Sequence, residues 1–64
     1  MKMKVTVFVK DKNNQVIYSE DYFINDKSDI PEVSDKVAEK MSELEDKYPY
    51  PEYEVEQNIS LVNE

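Results

Sequence analysis

Fifteen Asp and Glu side chains and eight Lys are the residues of this chain that could carry charge-dependent chemistry. There is no His, Cys, Arg, Gly or Trp. Nucleophile-plus-base sites usually draw on His, Cys or an activated Lys, and the first two are missing. A phosphate-cradling glycine loop requires Gly, and a Cys/His zinc site requires residues this chain lacks. Two carboxylates could work as acid and base, but only where a pocket raises one pKa. A chain of 64 residues has little volume for that pocket. Carboxylates could also hold Ca²⁺ or Mg²⁺, yet no loop has the alternating acids and Gly of an EF-hand. The expectation is a protein with no enzymatic activity, no cofactor and no metal site.

The charge that remains speaks about partners. Net charge is −7 at pH 7, unevenly distributed. Residues 1–12 carry +3, through Lys2, Lys4, Lys10 and Lys12 against Asp11, while residues 13–64 carry −10. Binding to a phosphate backbone needs clustered basic groups. Direct nucleic-acid binding and attachment to an anionic membrane are therefore disfavoured, and a basic protein surface is the favoured partner. The N-terminal residues lack the apolar core and cleavage site of a signal peptide, and no stretch is apolar enough to span a membrane. A cytoplasmic location is expected. The Lys- and Asn-rich, Arg-free composition suits an AT-rich bacterial or phage genome.

Elements must position these charges, and the apolar periodicity supplies them. Met3, Val5, Val7 and Val9 alternate with Lys4, Thr6 and Phe8, which reads as a strand over about residues 2–10. Asp11-Lys12-Asn13-Asn14-Gln15 reads as a hairpin turn made without Gly, since Asn tolerates the left-handed conformation. A second strand covers about 16–24, but its alternation is poor: either face receives a carboxylate. A bulge near Ser19-Glu20-Asp21 would switch faces and resolve that conflict. So would an edge position. Ile30, Val33, Val37, Met41, Leu44 and Tyr48 form one helical stripe over about 30–47, with Asp29 as N-cap and Glu32 three residues on. Ser28 is the alternative cap. Tyr48-Pro49-Tyr50-Pro51 reads as a stiff, extended connector. The third strand covers about 53–62, with Tyr53, Val55, Gln57, Ile59 and Leu61 inward and Glu54, Glu56, Asn58 and Ser60 outward. The result is one α+β domain of order β-β-α-β. Its three strands lie in the order 2-1-3, with one helix packed on one face.

Three surfaces follow as candidates for partner binding. The uncovered sheet face would carry Phe8, Tyr18 and Tyr22, aromatic anchors for a dimer or another partner. An acidic face would combine Asp35, Glu39, Glu43 and Asp46 of the helix with Glu54 and Glu56 of the last strand. The connector would offer Tyr48 and Tyr50 on a rigid backbone. A small domain without disulfides often gains stability by self-association, so a homodimer is expected.

The functional expectation is a small acidic protein–protein interaction module that covers a basic or nucleic-acid-binding surface. The alternative is a structural assembly protein that oligomerises through its aromatic sheet face. In size, charge and element order the chain resembles the small uracil-DNA glycosylase inhibitors of some phages, which act as DNA mimics. That resemblance implies inhibition by charge mimicry and carries over no residue role.

Overall fold

In a computed structural model that describes residues 2–62, β1 (Lys2–Lys10), β2 (Val16–Ile24) and β3 (Glu54–Val62) form one sheet in the order β2-β1-β3. Both pairings are antiparallel, and α1 (Ile30–Lys47) packs on one sheet face. The α+β class, strand order and helix span agree with the sequence expectation.

The core follows from β1. Its β-branched residues alternate, so Val5, Val7 and Val9 all turn toward α1, and Val7 and Val9 are completely buried. Burying one such side chain contributes about 1.5–3 kcal/mol before entropy is counted. Val37 and Leu44 meet them from the helix, and Ile24 closes the cluster from β2. Val33, Met41, Tyr48, Tyr53 and Val55 pack around this centre. Ile30 begins the same stripe but remains 42% exposed at the helix start.

The helix start differs from expectation. Asp29 has a helical backbone, φ −79° and ψ −17°, and its side chain makes no cap bond to α1. A single turn of 3-10 helix, Lys27–Asp29, precedes α1 and is capped by Asp26, whose carboxylate accepts from the Lys27 amide at 2.8 Å. Asp29 reaches backward, accepting from the amides of Asn25 and Asp26 at 3.1 and 3.2 Å. Two acids three residues apart thus form a reciprocal capping box one turn early. Ser28 does not cap; its hydroxyl donates to Asp26 at 3.1 Å.

Between β1 and β2, Asp11 holds the turn. Its Oδ1 accepts from the amides of Asn13 and Gln15 at 2.8 and 3.0 Å, while Asn14 takes φ 66°. Asn occupies the left-handed region at modest cost, which is how the turn forms without Gly. Asp11→Ala removes both side-chain bonds, and thermal unfolding should register a loss of about 1–2 kcal/mol.

Two further expectations are corrected. The bulge lies not at Ser19-Glu20-Asp21 but near Ile17, where the partner register shifts between Val9 and Lys10. Alternation is continuous from Tyr18 to Ile24, so Glu20 stays on the helix side, opposite Val7. The connector is not extended either. Residues 50–52 turn about a cis Tyr50–Pro51 bond, and the Tyr53 amide donates to the Pro49 carbonyl at 3.1 Å.

Candidate functional site

Strand register decides which candidate residues share a surface. Tyr18, Glu20 and Tyr22 pair with Val9, Val7 and Val5, so all three lie on the helix side of the sheet. Phe8 lies on the opposite, open side, where its neighbours in register are Ser19 and Glu56. The structure therefore separates Phe8 from Tyr18 and Tyr22. The expected grouping set the Tyr18–Tyr22 face of β2 on the open side, whereas the register turns that face toward α1.

Phe23 joins Phe8 on the open face. Lys2 Nζ sits 5.0 Å above the Phe23 ring and Lys10 Nζ 5.8 Å from the Phe8 ring centre. Thr6 donates to Asp21 at 2.7 Å, and Lys10 pairs with Glu56 at 3.1 Å. This face is a mixed-charge layer, with Phe23 still 45% exposed, rather than a purely aromatic patch.

Tyr18 and Tyr22 do something else. On one β2 face, residues two apart stand side by side. Both hydroxyls donate to Glu20 Oε2, Tyr22 at 2.7 Å and Tyr18 at 3.5 Å. Lys40 of α1 lies 3.9 Å from the same oxygen, 3.9 Å from Glu43, and 5.4 Å from the Tyr18 ring centre. The inward carboxylate that disturbed the β2 pattern is thus satisfied at the sheet edge and ties β2 to α1. The spacing Tyr-x-Glu-x-Tyr was the available signal for this cluster.

Burial first, and then the Glu20 bond and charge, push the Tyr22 hydroxyl up to about 12 from 10.0. The hydrogen bond and charge of Tyr18 raise the Lys40 ammonium, with smaller help from Glu20 and Glu43. Because the folded state holds the Tyr22 proton more tightly, its contribution is complete below pH 10 and declines as pH rises from 10 toward 12. Tyr22→Phe should remove the Tyr22 share of the alkaline decline and leave the smaller part that the raised Lys40 contributes. Unfolding midpoints across this alkaline range, with tyrosinate absorbance as the titration readout, check it.

The acids also divide between layers. At about 100° per residue, with Val37 and Leu44 marking the inward direction, Asp35, Glu39 and Asp46 fall on the helix side turned away from the sheet. All three are exposed. Glu43 turns toward β2 and lines a shallow recess with Lys36, Lys40 and Tyr22, which Glu39 borders from the outward side of α1. Glu54 and Glu56 share the open face, in register with Lys10 and Phe8. One continuous acidic face was expected; the helix packs on the opposite layer from these two glutamates, so there are two.

Tyr48 and Tyr50 are also treated differently. Tyr48 meets Tyr53 edge-to-face, with ring centres 5.1 Å apart at 70°, and closes the core. Tyr50 is 79% exposed. The three tyrosines line a recess of about 310 Å³ with Glu45, Glu54 and Glu56, so connector and strand acids meet there.

A surface missed by sequence reasoning lies along β3. Ile59 and Leu61 alternate to the helix side as expected, yet remain 57% and 67% exposed. Beside them a groove of about 350 Å³ opens between α1 and the sheet, lined by Met3, Ile30, Val33, Ala38 and Ile59 among others. Alternation revealed the face of these residues; it did not reveal that the helix leaves this end uncovered.

Among the described residues no three His, Cys, Asp or Glu side chains are placed to hold a metal ion, and no helix is long and apolar enough to cross a membrane. In comparisons with known proteins, no family model matches this chain, and neither a curated protein nor a solved structure matches it significantly.

Proposed function

We propose that this chain is a non-enzymatic protein-binding module that captures a basic surface on its partner through the back of α1. One observation carries the reading: α1 segregates its charges. Asp35, Glu39 and Asp46 face outward, while Lys40 is held at the β2 edge by Glu20 and Glu43, and Lys36 is paired with Glu32 at 3.2 Å. The outward acids are separated by about 6 Å and about 10 Å along the axis, from the 1.5 Å rise per residue. A basic site made for a phosphate backbone would meet negative charge in a row, so a nucleic-acid-binding protein is the partner class that fits. A cytoplasmic location accompanies this reading, on the composition.

Assembly through an aromatic open face has less support, because Lys2 and Lys10 already lie over Phe23 and Phe8. The test is affinity capture on the immobilised chain, with bound proteins identified by mass spectrometry. Competing duplex DNA and added salt should release the partner. A partner held equally well in both conditions would overturn the reading.

A further inference from the structure

The sheet has two edges, and they are differently made. β2 is broken by the bulge and carries Glu20 and Asp21 at its centre. Pairing β2 with its own copy about that centre would set Glu20 against Glu20. β3 is regular in its pairing with β1, and its six residues from Gln57 to Val62 carry no charge. Edge strands are normally protected by charge, bulges or coverage. β2 has the first two, whereas among the described residues β3 has its only charges at the Glu54–Glu56 end.

We propose that β3 pairs antiparallel with β3 of a second copy, about a two-fold axis at Asn58, giving a continuous six-stranded sheet with both helices on one side. Helices on one side require that like-facing residues pair, so the axis must pass through a residue. Asn58 is the centre of the strand and lets all nine residues pair. In this register Leu61 opposes Val55 and Ile59 opposes Gln57 of the other copy, which brings the exposed Ile59 side chains into diagonal contact.

The charges agree with the same register. Glu54 of one copy opposes Val62 of the other, whose neighbour on β1 is Lys2; Glu56 opposes Ser60, whose neighbour is Lys4. The acidic end of each β3 therefore lies two strands, about 10 Å, from the basic end of the other copy's β1, within reach of a Lys and a Glu side chain. An axis at Glu56 would instead oppose like charges. With the helices centred over β1, they stand about 14 Å apart, three strand spacings. That exceeds the about 8–10 Å of packed helices and leaves room for Ile30, Ile59 and Leu61 of both copies.

The proposal is independent of the helix-capture role, because it uses a different surface. Light scattering and sedimentation across micromolar to millimolar concentration should show twice the 7.6 kDa protomer mass. Ile59→Lys, at a site exposed in the protomer, should weaken the dimer at least about a hundredfold through like-charge apposition, with the circular-dichroism spectrum unchanged. Lys2→Glu and Glu54→Lys should each weaken self-association, and mixing the two variants should restore a dimer, since the mixed pair regains both contacts. A wild-type protomer at every concentration would leave the edge to some other strand and overturn the proposal. So would a dimer unaffected by Ile59→Lys, or charge variants that fail to recover on mixing.

Discussion

Leu44→Ala should lower the free energy of unfolding by about 2–5 kcal/mol, the range for deleting a buried leucine side chain. Leu44 is 4% exposed and packs with Val37 against the buried valines of β1. A chain of 64 residues has about 3–10 kcal/mol of stability in total, by the usual per-residue range. One substitution thus removes a large share of it, and a sizeable population should be unfolded without denaturant. Urea titration followed by far-ultraviolet circular dichroism measures the change. Ile59→Ala, on a residue exposed in the protomer, should shift the midpoint far less when measured at a concentration where the protomer predominates. Equal shifts for the two would mean that the helix does not build the core through Leu44.

The triple neutralisation Asp35→Asn, Glu39→Gln, Asp46→Asn should weaken capture of the basic partner by about tenfold to a hundredfold. It takes the net charge from −7 to −4, three carboxylates fewer. Each exposed charge contact contributes only about 0.2–1 kcal/mol, so the three together reach this range. Most of the loss should appear in the association rate, because the row acts on approach as well as in contact. Salt should weaken the wild type more than the variant, since screening removes what the variant already lacks. Glu54→Gln with Glu56→Gln is the control: those residues lie on the far layer and should leave capture unchanged. Equal loss from both sets would point to general charge rather than the helix row.

The elements were legible because β1, α1 and β3 each repeat an apolar residue at the period of their own geometry. The strand order was legible for a related reason: Val5, Val7 and Val9 form the cleanest apolar row, and such a row belongs in the centre. Failures cluster where a polar group is satisfied by a partner distant in sequence. Glu20 looked misplaced because Lys40, which helps to satisfy it, lies on another element. Placing Tyr18 and Tyr22 on the open face had the same root, since either face of β2 carries a carboxylate and alternation alone does not say which one turns inward. The acids of α1 and β3 seemed continuous because alternation assigns a face relative to one strand and says nothing of which layer the helix occupies. The cap falls to Asp26 rather than the expected Asp29 because the extra helical turn depends on hydrogen bonds between short side chains and nearby amides, which have no period.

The placement of β1 between β2 and β3 also bears on how the chain reaches its structure. Thr6 meets Asp21 across a short loop, but meets Asn58 only after the whole helix has formed the return path. Closing the longer loop costs more chain entropy before any contact compensates. The β1–β2 hairpin is then the early, local product, and docking of β3 is the late step that completes it. During that interval the middle strand has one side unpaired, so slow refolding at high concentration would expose its backbone edge to intermolecular pairing.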